Sequence, residues 1–355
     1  MDNKRIVLMC RDEFVEPFKQ NGFEVFWTYP LVYPLFYEGN DRMQLKEKEF
    51  EERLDSYKNK ILQFKPFYFL ADQVFFHFLF NRLVYIKKDK ISKLWIDFVD
   101  ELNRMGIITI IICQDDPGAI LVRRDVAPLT HRFQIVAAHS MQMGARYSKH
   151  GQKLIYSPTY IDAGFTDDYS GVSFEKKLDA SIAKFDVFFV GVMTWKRKAF
   201  FGLLSRKIKD LDYFFGSKDF FYTSRSKIDF DLNNKYHVRE IYAKSSINIV
   251  YGASDVAFIK GWGISNRIYN IAYCGGFFLC DYRKHMDNSF NIDPSLFSFK
   301  TVGQCHNKIR FYLENIRKRE ELADKFHKHV IEHCTVDKVV KKLIDNIEGI
   351  TQKKH

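Results

Sequence analysis

Apolar residues in this chain come in short unbroken runs separated by longer amphipathic stretches, the alternation expected of an α/β protein whose parallel sheets are covered on both faces. Lys4 to Cys10 has strand length, Glu13 to Gln20 reads as a helix and Phe23 to Trp27 as a second strand, so the chain opens as βαβ. The pattern then predicts a charged helix over 42–60, a strand over Phe64 to Leu70, an aromatic-rich helix over Gln73 to Leu83 and an amphipathic helix over Ile91 to Met105. Gly106 leads into Ile107 to Cys113, the most strand-like run of the chain. Strands at Phe133 to Ala138 and Lys153 to Tyr156, with a helix over Gln142 to His150 between them, complete a first domain.

Between Asp162 and Ala183 the apolar runs give way to Gly, Asp, Ser and Lys, and the domain boundary is expected there. The alternation resumes with strands at Phe185 to Val190, Leu211 to Phe215, Ser246 to Val250 and Phe277 to Cys280, interleaved with helical stretches at TWKRKAFFGLL and Val238 to Lys244. Helices are expected from Gly303 to Arg317, Glu320 to His333 and Val336 to Ile347. The division predicted is therefore 1–165, 183–335, and a C-terminal helix and tail over 336–355.

The chemistry concentrates in Gly263 to Asp281, GISNRIYNIAYCGGFFLCD. Ser265 is a natural N-cap, so the N–H groups of Asn266, Arg267 and Ile268 stand at the positive end of a helix, where an anion fits. Arg267 and Asn270, three apart, share a helical face. Gly275 and Gly276 stop the helix ahead of an unalternating, two-sided buried strand. The loop over 252–264 that leads into this element carries Trp262 and is placed to hold a sugar or base. A second candidate follows the strand ending at Val190: Gly191 admits a phosphate close to the backbone, and Arg197 stands in the basic start of the next helix, either as a ligand or as part of a solvated charge run with Lys196 and Lys198.

The order strand, Gly191, Arg197, then Arg267, Cys274, Gly275 and Asp281 resembles the C-terminal domain of glycosyltransferases of the GT-B fold, specifically the spore-maturation CgeB-like group. That resemblance implies two Rossmann-like domains facing each other across a cleft, with the last helix crossing back to the first domain. It also implies a nucleotide-sugar donor such as a UDP-sugar, no metal and no other cofactor, and an acceptor on a surface glycan, lipid or protein, as in cell-surface glycan biosynthesis. The group carries a Glu where this chain has Asn270, and that Glu accepts hydrogen bonds from the ribose diol. In the first domain the group has an acidic-Pro segment like Asp115-Asp116-Pro117.

A general base for an inverting transfer is expected at strand ends of the first domain, and the candidates are Asp12, Glu13, Asp116 and His139. For Asp116 an N-cap role is the alternative. Residues 27–37, WTYPLVYPLFY, are barred from a helix by two prolines and read as an acceptor loop, a membrane-dipping edge or a buried segment.

Composition narrows the picture. Thirty-five Phe and nineteen Tyr in 355 residues speak for packed cores, and the net charge of +11 for phosphate-bearing partners: nucleotides, an anionic membrane surface or nucleic acid. Six cysteines without CxxC spacing read as reduced core thiols of a cytoplasmic protein. MDNKRIVLMC passes straight into a strand pattern, so no signal peptide is expected, and no run reaches membrane-spanning length. His327, His329 and His333 cluster without a Cys pair, which argues against zinc. Absence of G-x-G-x-x-G after the first strand argues against a dinucleotide oxidoreductase. Two alternatives stay open: a phage-type DNA base glucosyltransferase, which the positive charge suits, and a non-catalytic nucleotide- or sugar-binding protein, which Asn270 permits.

Overall fold

The computed structural model of the protein describes residues 4–28, 47–73, 75–76, 87–113, 127–138, 151–157, 184–226, 230–232, 234–252, 265–283, 286 and 290–351. The chain divides into two compact units, one of Met1–Pro158 with Val336–His355, the other of Thr159–Thr335.

In the first unit, β1 (Lys4–Met9), α1 (Val15–Gln20), β2 (Phe23–Trp27), α2 (Glu47–Phe64), β3 (Tyr68–Asp72), α3 (Lys88–Arg104), β4 (Ile108–Cys113), α4 (Ala127–Thr130), β5 (Ile135–Ala138) and β6 (Lys153–Tyr156) follow in order. The six strands form a parallel sheet in the order β2-β1-β3-β4-β5-β6. The helices hold because their apolar residues recur on one face: Phe50, Leu54, Tyr57 and Ile61 on α2, and Ile91, Trp95, Phe98, Val99 and Leu102 on α3 are buried. Aromatic side chains fill the interior, with the Trp95 ring 5.2 Å from Phe76 and 5.4 Å from Phe98. Each such ring contributes roughly 1.5–3 kcal/mol by leaving water.

The second unit runs β7 (Val187–Val190), α5 (Trp195–Lys207), β8 (Tyr213–Gly216), β9 (Phe221–Thr223), α6 (Lys235–Lys244), β10 (Ile247–Val250), α7 (Asn266–Tyr273), β11 (Phe278–Asp281), α8 (Pro294–Phe297), β12 (Ser298–Phe299), α9 (Val302–Glu314) and α10 (Ile316–His333). Its sheet order is β12-β11-β10-β7-β8-β9, parallel except for β9, which pairs antiparallel to β8. The Phe excess is again core: Phe188 stacks on Phe214 at 5.7 Å, and Phe278 meets Phe326 in a tilted pair at 4.5 Å.

Helix α11 (Val336–Thr351) follows the second unit in sequence and packs in the first. Its apolar face buries Val339, Val340, Leu343, Ile344 and Ile347. Asn346 donates to the Tyr156 carbonyl at 3.1 Å, Lys153 donates to that of Ile350 at 3.3 Å, and Lys4 pairs with Glu348.

Some expectations shift. The strand expected over Phe64–Leu70 lies over Tyr68–Asp72, because the apolar row of α2 continues to Phe64 and the chain then turns at Lys65 (φ 51) into Pro66. The helix expected over Gly303–Arg317 breaks at Asn315, so α10 starts at Ile316 and not at Glu320. Strands β9 and β12 and helix α8 are too short to leave a periodic signal. The helix over Gln142–His150, residues 29–37 and the boundary segment 162–183 lie outside the described residues.

Candidate functional site

Each sheet contains one topological switch point, where connections from neighbouring strands leave in opposite directions and open a crevice at the carboxyl ends of the strands. In the second unit it lies between β7 and β10, which pair side by side. Both expected donor-binding segments meet there.

Phe189 and Val190 close β7, and Gly191 follows with φ 151 and its N–H on the Gly216 carbonyl at 2.9 Å. Thr194 then N-caps α5, accepting from the Arg197 N–H at 3.5 Å. The Arg197 side chain is only 5% exposed. Its guanidinium donates through Nη1 to the Val192 carbonyl at 2.8 Å, and through Nε and Nη2 to the Tyr251 carbonyl at 2.9 and 2.6 Å. Val192 follows β7 and Tyr251 follows β10, so Arg197 straps together the two chain segments that diverge at the switch point. The residue read from sequence as a phosphate ligand holds main chain, from inside.

Arg267 occupies the second position of α7, whose N-cap Ser265 accepts from the Arg267 N–H at 3.4 Å. Its guanidinium lies 5.1 Å from the Phe189 ring, the same distance at which Arg197 meets that ring. It also lies against Gly191, where an added Cβ would come within 2.5 Å of Nη2. Nη1 of Arg267 is buried and has no hydrogen-bond partner among the described residues. A buried cationic N–H without an acceptor is costly unless a ligand supplies one. The positive end of the α7 dipole lies at the same place, and the arrangement suits a phosphate oxygen.

Asn266 is half-buried at the first turn of α7, and Asn270 is 5% exposed one turn further on. Ser265 is exposed. Trp262 lies outside the described residues, as do Asp116 and His139.

Asp281 ends β11, and one carboxylate oxygen accepts from the Gly252 N–H at 3.1 Å while the other meets Arg283 Nη2 at 2.5 Å. Burial pushes the Asp281 carboxyl up, against the pull of Arg283 and the Gly252 N–H. The pair fixes the point where the chain leaves β10 toward α7. The carbonyls of Val192 and Tyr251 leave no residue-type signal in the sequence, and Arg283 stands in no motif there.

In the first unit the switch point lies between β1 and β3, and Asp12 and Glu13 follow β1 there. Asp12 is exposed and accepts from the Glu13 N–H at 3.1 Å, and Arg11 reaches Glu13 at 3.5 Å. Asp72 ends β3 and is buried; the sequence pattern, which puts that strand over Phe64–Leu70, does not single it out. Burial pushes the Cys10 thiol up, and Asp72 and Glu13 push it further, so these acids gather at one sheet edge. Among the described residues no group of three His, Cys, Asp or Glu is arranged to hold a metal ion.

Residues 197–345 match the family model of glycosyl transferase-like domains. No curated protein matches the chain. Among solved structures, a glycosyltransferase from Rickettsia africae aligns with a TM-score of 0.57 at 12% identity, covering 99% of each chain. A trehalose-6-phosphate synthase aligns at 0.56 and 9%, covering 97% of this chain and 98% of that one. The UDP-GlcNAc 2-epimerase of Neisseria meningitidis, bound to UDP-GlcNAc, aligns at 0.50 and 12%, covering 97% and 99%.

The fold is GT-B. Two Rossmann-like units with parallel-dominated sheets define it, and the glycosyl transferase-like match begins at the strap residue Arg197 and includes all of α7. No helix among the described residues is long and apolar enough to cross a membrane.

Proposed function

We propose that the protein is a glycosyltransferase whose donor is a nucleoside diphosphate sugar, its diphosphate resting on the α7 N-terminus under Arg267. One observation carries the reading: the buried Nη1 of Arg267, without an acceptor among the described residues, beside Gly191 at the switch point of the second unit. The family match over 197–345 supports sugar transfer, and the epimerase neighbour, bound to UDP-GlcNAc, makes a UDP-sugar the first donor to try.

In the reaction an acceptor hydroxyl oxygen bonds to the anomeric carbon while the bond from that carbon to the phosphate oxygen breaks, and the diphosphate leaves with the electron pair. Arg267 and the positive end of the α7 dipole meet the charge that builds on the leaving group, without a metal ion. Arg197 keeps the β7 and β10 segments in position. The acceptor is a glycan, lipid or protein hydroxyl, and an inverting enzyme would pass its proton to a base among Asp12, Glu13, Asp72, Asp116 and His139. The six buried cysteines, none of them in a disulfide, support a reducing compartment such as the cytoplasm.

The test is a thermal-shift panel of UDP, GDP, CDP and dTDP with wild type and Arg267→Ala, followed by donor hydrolysis and transfer assays. A stabilising diphosphate should raise stability by about 2.7 kcal/mol at ~100 times its dissociation constant. No shift with any diphosphate overturns the reading. A shift without sugar release from any acceptor pool leaves a binding protein, and transfer to duplex DNA favours the nucleic-acid acceptor.

A further inference from the structure

Helix α5 reads WKRKAFFGLLSRK, with five basic residues and no acid. Arg197, Phe200, Phe201, Leu204 and Ser205 face the core. At 100° per residue, Trp195, Ala199 and Leu203 then form a stripe on the opposite side, with Arg206 beside it, Lys198 on one flank and Lys196 and Lys207 on the other.

The exposures agree with that wheel. Trp195 is 60% exposed and Leu203 52%, and Val192, three residues ahead of Trp195, is 72% exposed. Lys196, Lys198, Arg206 and Lys207 make no ion pair among the described residues; Lys196 stands 5.6 Å from the Tyr251 ring and Lys198 4.3 Å from the Phe220 ring. A helix face kept only for solvation mixes charge signs and seldom exposes a Trp.

We propose that this face of α5 docks on an anionic phospholipid surface, Trp195 and Leu203 entering the headgroup region and Lys196, Lys198, Arg206 and Lys207 meeting lipid phosphates. Trp is the side chain suited to such a boundary, with a large apolar body and one polar N–H. Basic residues flanking an apolar stripe are the interfacial pattern. A duplex nucleic acid would use the four cations but not the apolar stripe, and an acidic protein would need neither Trp195 nor Val192 so exposed. The inference does not rest on the donor reading, because none of the side chains it uses is assigned there to the diphosphate.

The experiment is co-sedimentation of the full chain with vesicles of phosphatidylcholine alone and of phosphatidylcholine with about one third phosphatidylglycerol, at low and high salt. Binding should appear on the anionic vesicles and weaken with salt. It should fall about tenfold in Trp195→Ala/Leu203→Ala and in Lys198→Glu/Arg206→Glu, each with its melting temperature kept, as befits exposed positions. Absence of vesicle binding, equal binding to neutral vesicles, or binding unchanged in both variants overturns the proposal. So does duplex DNA binding that needs Lys198 and Arg206 while anionic vesicles are ignored.

Discussion

Gly191 and Arg267 occupy the same space: a Cβ on the first would stand 2.5 Å from Nη2 of the second. Gly191 also has φ 151, in the region that side chains avoid. The glycine is thus required twice, for its backbone and for the guanidinium that lies on it. Gly191→Ala should push Arg267 away from the Phe189 ring and cost about 1–3 kcal/mol of folding stability. It should also weaken nucleoside diphosphate binding at least tenfold, about 1.4 kcal/mol, read by calorimetry.

Arg267→Ala separates stability from binding. Removing a buried nitrogen that lacks an acceptor should leave the unliganded melting temperature unchanged or raise it, while the diphosphate-induced shift disappears. A large loss of unliganded stability would make Arg267 a structural residue.

Arg197 should behave in the opposite way. Arg197→Met leaves the Val192 and Tyr251 carbonyls without their donor, and urea denaturation should record a loss of about 2–4 kcal/mol. Arg197→Lys, which cannot reach both carbonyls with a fork, should recover only part of it.

Asp210, in the turn after α5, meets Arg310 of α9 with two hydrogen bonds, at 2.7 and 2.5 Å. These bonds hold its carboxyl at about 2, below the usual carboxylate range. Because the folded value is depressed, the pair's contribution to stability is present above the ordinary carboxylate range and is lost as pH falls from there toward about 2. In Arg310→Met, Asp210 should titrate near the ordinary value of about 3.9, as followed by carboxyl NMR.

The carboxylates at the switch point of the first unit are distinguished by kinetics. If one of Asp12, Glu13 and Asp72 is the base, its amide variant should lose roughly 10²–10⁴ in kcat with the donor dissociation constant kept. A loss of folding without that split would assign the residue to structure.

Local patterning alone settled the alternation of strands and helices, the Ser265 cap, the turn glycines and the aromatic cores, since each depends on neighbours a few residues apart. The strand at Phe64–Leu70 misled because an amphipathic helix end and a strand start look alike when only a positive-φ Lys65 and Pro66 divide them. That slip hid Asp72 at the strand end.

Two arginines at helix starts are equivalent on paper, and only tertiary structure told them apart. Arg197 turns inward because a carbonyl 54 residues away, at Tyr251, lies within its reach, whereas Arg267 finds a glycine surface and an aromatic ring but, among the described residues, no acceptor for Nη1. The same holds for α11, whose amphipathic pattern guarantees a buried face but not which sheet it joins, and which packs on β6 of the first unit although it follows the second in sequence. Hydrogen-bond partners and packing faces are set by where the backbone comes together in space, and residue type along the chain does not encode that.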